Sequence, residues 1–326
     1  MLKVAMVGAG IMGTLHARAY SRIQGAKLIG IVDSLQGAAD KLANVWGVAC
    51  YPTLEEMLAA EDSDVIDICL PTHQQKEHVL QAAAKGKHVF CEKLIVGSKQ
   101  DALEMIEACS KAGVKFMVSH VQRFFPDYLK AKLLVDQMKL GKVGTVRMQR
   151  EISLQDVSED WYRAYVNFGD EILDSIRHDI DWLIWTFGYV ERVYAKGRLG
   201  KEGLNTDHLF VSLRMKNGVI AHISGGRGLA TGFRSFLEVA GRGGLMTMEN
   251  DEASMPIMNT FKTENGIEYR NESPLGVSPY QLELQHFIDC IVNGQEPMIS
   301  GYDVLRTLDV ILAVQHSLET GKAITL

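Results

Sequence analysis

The sequence predicts an α/β domain with a parallel sheet, followed by an α+β domain whose sheet is mainly antiparallel. Up to about residue 120, short apolar runs rich in β-branched residues alternate with helical patterns, which is typical of parallel strands joined by crossover helices. Beyond His120, longer alternating stretches are separated by turns such as Lys216-Asn217-Gly218. Such a pattern is typical of antiparallel strands with one packed and one free face.

The elements of the predicted first domain are placed by periodicity. Apolar runs of strand length predict strands, and apolar residues three or four apart predict helices. The predicted strands are 2–7, 27–33, 65–70, 88–91 and 115–118, and the predicted helices are 13–24, 36–46, 74–85 and 99–112. In the second domain, helices are predicted at 128–140, 171–186, 279–293 and 301–320.

Length and composition limit the class of protein. A chain of 326 residues fits two domains of about 100 to 200 residues, which we place at 1–120 and 121–326. Hydrophobic residues make up 47% and charged residues 23% of the chain, as in globular proteins. The net charge of −6, without a dense Lys/Arg cluster, argues against nucleic-acid binding.

The sequence also predicts a cytoplasmic protein without a membrane span. No apolar stretch reaches the length of a transmembrane helix, and the first apolar run has no small-residue cleavage site after it. The five cysteines are scattered and form no CxxC pair. We interpret them as reduced core residues, and we predict no metal site.

The stretch GAGIMG follows the first predicted strand and opens the first predicted helix. In a dinucleotide site, Gly8 permits a tight turn, Gly10 lets the backbone approach a pyrophosphate, and Gly13 lets the helix pack closely on the strand. The exposed N–H groups of the helix N-terminus then face the phosphates. The alternative is a glycine turn without a ligand.

Asp33 ends the second predicted strand, where a carboxylate can accept hydrogen bonds from both hydroxyls of the adenine ribose. Ser34 and Leu35 follow it, so no arginine neutralises a 2′-phosphate there. This favours NAD over NADP as the cofactor. The alternative role for Asp33 is an N-cap of the next helix.

Two further groups of polar residues are candidates for chemistry. Glu92 and Lys93 follow a buried strand, at the edge where open α/β sheets bind ligands; alternatively they are a solvated ion pair. Asp174 and His178 are four residues apart and therefore share a helix face. A carboxylate beside a histidine suits removal of an alcohol proton, although the helix also fits an ordinary amphipathic one with a solvated polar face.

Taken together, these segments resemble the glucose-fructose oxidoreductase and inositol dehydrogenase (Gfo/Idh/MocA) family over essentially the whole chain. The resemblance rests on GAGIMG with Asp33, LPTHQQKEHVLQAAAKGKHVFCEK, RFFP, DSIRH and the closing GYDVLRTLDVILAVQHSLETGK. It implies a Rossmann domain followed by a domain with a large open antiparallel sheet, whose face commonly packs in dimers or tetramers. It also implies that Lys93, Asp174 and His178 are catalytic.

The same resemblance implies the remaining cofactor contacts. They are Ile11, Met12, Pro71, Thr72, His73, Glu92 and Lys93, beside Gly8, Gly10, Gly13 and Asp33. Two departures from the family pattern stand out: Leu94 replaces the proline of Glu-Lys-Pro, and Gln75 replaces the second histidine of Pro-Asn-His-x-His. Neither departure removes a catalytic side chain.

The expected function is NAD-dependent oxidation of a secondary hydroxyl on a sugar, sugar derivative or cyclitol. Further substrate contacts are expected from His120, Arg123, Tyr162, Arg163 and Asn167, each of which alternatively caps or packs an element. Two other functions remain open. One is redox elimination or glycoside hydrolysis with retained NAD, and the other is a non-catalytic NAD-binding sensor.

Overall fold

The computed structural model describes residues 1–93, 99–153, 171–199, 206–229, 233–250, 257–263, 266–272 and 277–326. The chain forms two compact units. The first unit comprises Met1–Phe124 with Pro279–Leu305, and the second comprises Phe125–Ser278 with Arg306–Leu326. None of the described helices is long and apolar enough to cross a membrane.

The first unit contains a parallel sheet of six described strands. They are β1 (Leu2–Val7), β2 (Ala26–Val32), β3 (Ala49–Tyr51), β4 (Val65–Ile68), β5 (His88–Cys91) and β6 (Phe116–Val118). Their order is β3-β2-β1-β4-β5-β6, and every neighbouring pair is parallel. This is the predicted Rossmann topology, and it creates a crevice beyond the carboxyl ends of β1 and β4, where the winding reverses.

The helices follow the predictions, with small shifts at their ends. The described helices are α1 (Ile11–Tyr20), α2 (Gln36–Trp46), α3 (Leu54–Ala60), α4 (Thr72–Ala84), α5 (Lys99–Ala112), α6 (Pro126–Asp136), α7 (Glu171–Phe187), α8 (Pro279–Asn293) and α9 (Gly301–Thr320). The short elements β3 and α3 were not predicted. A local signal for α3 was present, because Thr53 accepts a hydrogen bond from the Glu56 N–H at 3.2 Å, as in a capping box.

The sheet of the second unit is mixed and mostly antiparallel. Its strands are β7 (Val143–Ser153), β8 (Val190–Leu199), β9 (Thr206–Met215), β10 (Ile220–Leu229), β11 (Phe233–Gly241), β12 (Gly244–Asn250) and β15 (Ile324–Thr325), in the order β12-β11-β7-β10-β9-β8-β15. The pair β7–β10 is parallel, and the other neighbouring pairs of this sheet are antiparallel, which agrees with the predicted mainly antiparallel sheet. Strands β13 (Ile257–Thr263) and β14 (Gly266–Glu272) form a separate antiparallel pair.

Helix α7 packs closely on this sheet at Gly225. A Cβ atom at Gly225 would lie 2.7 Å from Ile172 Cγ2 and 2.9 Å from Ile176 Cγ2, which is closer than packed carbon atoms approach. Arg150 of β7 adds a buried ion pair to the same helix. Its Nε and Nη2 atoms donate to the two Asp179 carboxylate oxygens at 3.1 and 2.7 Å.

Helix α8 belongs to the first unit, although the sequence-based division placed all of 121–326 in the second domain. Its apolar residues Leu284, Phe287 and Ile288 share a core cluster with Tyr20 and Ile23. The Gln285 side chain also exchanges two hydrogen bonds with the main chain of Gln24, at 2.8 and 3.1 Å. These contacts join segments far apart in sequence, so periodicity gives no sign of them.

The five cysteines are free thiols. Cys91, Cys109 and Cys290 are buried as predicted, whereas Cys50 and Cys69 are only partly buried. Cys69 lies just past β4, beside the glycine loop, rather than in the interior of the sheet.

Glu283 of α8 is a fully buried acid below the carboxyl end of β6. Its two oxygens accept hydrogen bonds from the His120 N–H at 2.8 Å and from the Ser119 hydroxyl at 3.1 Å. Burial, and next the negative charge of Glu92, raise the pKa of Glu283 to about 8. The carboxyl group is therefore mainly protonated at neutral pH.

Replacing Glu283 with glutamine is expected to change how stability depends on pH. In the unfolded chain this carboxyl ionises near pH ~4.3, so folding must reprotonate it, at a cost on the order of 3 kcal/mol by pH ~7. This cost grows between the pKa of Glu283 in the unfolded chain and its pKa of about 8 in the folded protein. At higher pH it is constant. In Glu283→Gln the amide oxygen can accept the hydrogen bond from the His120 N–H, and the amide nitrogen can donate to the Ser119 hydroxyl oxygen. The variant therefore keeps two hydrogen bonds and removes the cost.

The measurement is urea unfolding of wild type and Glu283→Gln at several pH values between about 5 and 8. The variant should gain stability relative to wild type as the pH rises. Glu107→Gln, at an exposed position, is the control and should parallel wild type. A Glu283→Gln profile parallel to wild type would contradict the prediction.

Candidate functional site

The glycine loop is held against the carboxyl end of β4. Gly8 has a φ of +106°, and a Cβ there would lie 2.7 Å from the carbonyl oxygen of Cys69. A Cβ at Gly13 would lie 1.9 Å from the carbonyl oxygen of Gly8. Both positions therefore require glycine for the packing of the fold itself.

Gly10 differs from its two neighbours in the loop. A Cβ there would meet no described atom within 4 Å, so packing within the protein does not explain this glycine. Gly10 is also the N-cap of α1 and supplies no side-chain cap, so the first N–H groups of the helix are open to an anion. Next to it, Ile11 is exposed, Met12 is partly buried and Gly13 is buried.

Asp33 is fixed beside this loop by two backbone donors. Its Oδ2 accepts a hydrogen bond from the Ala9 N–H at 2.7 Å, and its Oδ1 accepts one from the Leu35 N–H at 2.8 Å. The N-cap of α2 is Leu35, so the alternative role of Asp33 as the cap of that helix is wrong. The carboxylate keeps further lone pairs for a ligand hydroxyl.

A second loop reaches the same crevice from β4. Pro71 and His73 are exposed and Thr72 is partly buried, at the point where α4 begins. These positions suit contact with a bound dinucleotide, because they lie beyond the carboxyl end of a strand at the reversal of winding. Their proposed contacts with the cofactor remain predictions.

Glu92 and Lys93 directly follow β5. Glu92 is 4% exposed, so the interpretation of a solvated ion pair is wrong for the glutamate, while Lys93 is partly buried. The Glu92 Oε1 atom lies 3.2 Å from Nε2 of His16, and Oε2 accepts a hydrogen bond from the Lys93 N–H at 3.1 Å. The Glu92 carboxylate therefore links helix α1 to the main chain of Lys93.

His16 and Asp67 complete a buried charged group that the sequence analysis missed. Both side chains are fully buried, and His16 Nδ1 lies 2.9 Å from Asp67 Oδ2. Burial alone would lower the pKa of His16, but the charge of Asp67 and hydrogen bonds to it raise that pKa well above its usual range. The signals were a lone aspartate inside the apolar strand VIDICL and a histidine one turn after Gly13.

The charge of His16 in turn affects Glu92. Burial would raise the pKa of Glu92, but the contact with His16 and the charge of His16 lower it below its usual range. His16, Asp67 and Cys69 also place three ligand-type atoms within 4.8 Å of one another. Burial raises the pKa of the Cys69 thiol, which therefore keeps its proton and donates to Asp67 at 3.5 Å.

Helix α7 of the second unit carries the other catalytic candidates. Its apolar residues are buried as predicted: Ile172, Leu173, Ile176, Ile180, Leu183 and Ile184. His178 is partly buried, and the side chain of Asp174 lies outside the described part of the structure. Asp179 and Asp181 are buried, so a uniformly solvated polar face is wrong for this helix.

The remaining substrate candidates divide into two groups. Tyr162, Arg163 and Asn167, like Leu94, lie outside the described residues. His120 and Arg123 are 2% and 1% exposed. An Arg123 Nη atom donates to the Met298 carbonyl at 3.3 Å, and the other lies 3.9 Å from Asp303, so Arg123 anchors the segment that follows α8.

The glycine loop and Asp33 fit a dinucleotide cofactor. The open space at Gly10 accommodates an approaching pyrophosphate, the N-terminus of α1 offers donors, and Asp33 offers an oriented carboxylate for a ribose. The family model described as "Oxidoreductase family, NAD-binding Rossmann fold" matches residues 2–120, and the GFO/IDH/MocA C-terminal domain matches residues 128–247.

Similar proteins span the chain. It is 28% identical to the myo-inositol 2-dehydrogenase of Thermotoga maritima, covering 100% of this chain and 98% of that protein. It is 26% identical to the 2,7-anhydro-N-acetylneuraminate hydratase of Escherichia coli, over 69% of this chain and 62% of that protein. The crystal structure of myo-inositol 2-dehydrogenase from Lactobacillus plantarum superposes with a TM-score of 0.86 at 26% identity, covering 100% of this chain and 99% of that one.

The two family models together match well over half of the chain, and the parallel sheet has the strand order that this NAD-binding domain requires. The protein therefore belongs to the Gfo/Idh/MocA family of oxidoreductases, with an NAD-binding Rossmann domain at its N-terminus.

Proposed function

We propose that this protein is an NAD-dependent dehydrogenase that oxidises a secondary hydroxyl of a cyclitol, sugar or sugar derivative. The observation that carries the proposal is the placement of Lys93 directly after β5, on the same edge of the sheet as the glycine loop and Asp33. Similarity to a myo-inositol 2-dehydrogenase over the whole chain supports a cyclitol as the first substrate to test.

In the proposed reaction each side chain has one task. The glycine loop and the N-terminus of α1 bind the pyrophosphate, and Asp33 binds the adenine ribose. The chemistry that NAD would supply when bound is a nicotinamide ring able to take the hydride from the carbon that carries the hydroxyl. His178 takes the hydroxyl proton on an imidazole nitrogen, Lys93 donates a hydrogen bond to the hydroxyl oxygen, and Asp174 orients the substrate.

Dehydrogenation is distinguished from a retained-cofactor reaction by its products. The similarity to a hydratase over 69% of this chain favours net elimination or hydration as the second candidate function. A panel of cyclitols, aldoses and nucleotide sugars should be incubated with NAD, with NADH absorbance and product formation followed together. Accumulation of NADH equal to product supports the dehydrogenase, and product without NADH supports the second function.

We further propose that the second domain binds substrate and forms a cytoplasmic homodimer or homotetramer through its sheet. The exposed side of that sheet carries Tyr194 and Phe210, which are 37% and 48% exposed. Aromatic side chains are enriched at protein interfaces. The free thiols of all five cysteines agree with a reducing compartment.

Cofactor choice is expected to depend on Asp33. Wild type should bind NADH more tightly than NADPH, because the carboxylate repels a 2′-phosphate and no cation follows it. Asp33→Asn should weaken NADH binding about 10- to 100-fold, the scale of a lost charged hydrogen bond, without giving tight NADPH binding. Calorimetry measures both affinities, with Asp40→Asn as the control. Equal or tighter NADPH binding by wild type would contradict the prediction.

Lys93 is expected to act in chemistry rather than in cofactor binding. Lys93→Ala should keep NAD affinity nearly unchanged and lower turnover by about 10² or more, the scale for losing a positioned acid-base group. Lys111→Ala, at an exposed position on α5, is the matched control and should keep full turnover. Near-normal turnover in Lys93→Ala would show that this lysine has no part in the chemistry.

His178 is expected to set the acid limb of the pH profile for oxidation. Only a neutral imidazole accepts a proton, and an ordinary imidazole has a pKa of ~6.5, so the rate should fall as the pH drops through this region. His178→Ala should lose most activity together with that limb, and His178→Gln should bind substrate without turnover. His316→Ala, on an exposed part of α9, should keep the profile. An unchanged acid limb in His178→Ala identifies another group as the base.

A further inference from the structure

The main chain on both sides of Lys93 is held by buried side chains. Gln75 of α4 is 1% exposed, and its side-chain Nε2 donates to three carbonyl oxygens. The distances from Nε2 to the carbonyl oxygens are 2.9 Å for Leu70, 3.2 Å for Glu92 and 3.4 Å for Lys93. One amide group therefore joins the loop after β4 to the residues after β5.

These contacts restrain both backbone dihedral angles of Lys93. The peptide group before its Cα consists of the Glu92 carbonyl and the Lys93 N–H. Gln75 donates to that carbonyl, and the Lys93 N–H donates to the Glu92 carboxylate at 3.1 Å. The peptide group after its Cα is held at the Lys93 carbonyl by Gln75. With both planes fixed, the direction of the Cα–Cβ bond is fixed as well, and so is the origin of the lysine side chain.

The orientation of the Gln75 amide is determined by the same contacts. Reversing the group would turn its oxygen toward three carbonyl oxygens, an arrangement without any donor. In the observed orientation, Oε1 is buried and has no hydrogen-bond partner among the described residues. The contacts of this amide with the described residues are therefore made by its donors.

We propose that Gln75 is a positioning residue for Lys93, fixing the lysine for reaction by binding the carbonyls on either side of its Cα. The proposal rests on the catalytic role proposed for Lys93. His16 supports the other side of the same arrangement, since it lies 3.2 Å from the Glu92 carboxylate that receives the Lys93 N–H. Gln75 itself need not contact substrate or cofactor.

The test is a double-mutant cycle between Gln75 and Lys93 in the full chain. Gln75→Met keeps the length of the side chain and removes its donors. The readout is kcat for oxidation of the cyclitol that wild type uses. It should fall about 10-fold or more, which is the scale of a small misplacement of a reacting group. The Kd for NAD should stay within about 2-fold of wild type. Because Gln75 acts through Lys93, the double variant should be no slower than Lys93→Ala alone.

A merely structural role for Gln75 would give a different result. The two losses in kcat would then multiply in the double variant, and this outcome, or an undiminished kcat in Gln75→Met, would overturn the proposal. If Lys93→Ala alone keeps normal turnover, the proposed catalytic role of Lys93 is wrong. The inference about Gln75 is then wrong as well, because it depends on that role.

Two further variants keep the test decisive. Gln81→Met makes the same exchange at a partly buried position on the same helix and should keep full kcat. If Gln75→Met does not fold, Gln75→Asn replaces it in the cycle, because its amide is one methylene shorter and cannot reach all three carbonyls. Gln75→Asn should lower kcat when Lys93 is present, and it should leave kcat unchanged when it is added to Lys93→Ala.

Discussion

The contact between Gly13 and the carbonyl oxygen of Gly8 determines much of the first unit. A side chain at Gly13 would overlap that oxygen, since its Cβ would lie 1.9 Å away. The glycine therefore lets α1 start directly against the end of β1, with its open N–H groups at the crevice. It also places His16, one turn later, between Asp67 of β4 and Glu92 after β5.

The buried ion pairs of His16 are not an obvious source of stability. Removing charged groups from water is costly, and buried pairs often contribute less to stability than well-packed apolar residues would. Their geometric effect is clearer, because an imidazolium with a carboxylate on each side has one preferred orientation. His16 thereby joins the glycine helix to two strands whose carboxyl ends form the site. The same location holds Glu283 and Gln75, two more buried polar groups with main-chain partners.

The sequence predicted those parts of the fold that depend on local patterns. The strands β1 and β5 and the helices α2, α5, α8 and α9 have the predicted bounds, because their apolar residues recur at the period of one type of element. Strand β3 and helix α3 are too short to show a period. The parallel pairing of β7 with β10 depends on contacts between distant segments, and alternation along one strand does not specify its partner.

The same limit applies to the candidate site. Gly8, Gly10, Gly13 and Asp33 were found because their motif has fixed spacing, and Lys93 was found because it comes just past the end of a buried strand. His16, Asp67 and Glu283 come from three separate elements that meet only in the folded chain. Gln75 was noted as a departure from the family pattern, but its three carbonyl partners are visible only in the structure.

The two units hold their catalytic candidates by the same physical means. In the first unit, a glycine permits close contact at the start of α1, and a buried ion pair from that helix reaches Glu92, next to Lys93. In the second unit, Gly225 permits close contact with α7, and the ion pair of Arg150 with Asp179 fixes the turn that also carries His178. In each unit the glycine, which has no side chain, allows the short distance between helix and sheet. A charged hydrogen-bonded pair then sets the rotation of the helix about its axis. Reactive groups supported by elements held in this way keep their positions more accurately than groups on unsupported loops.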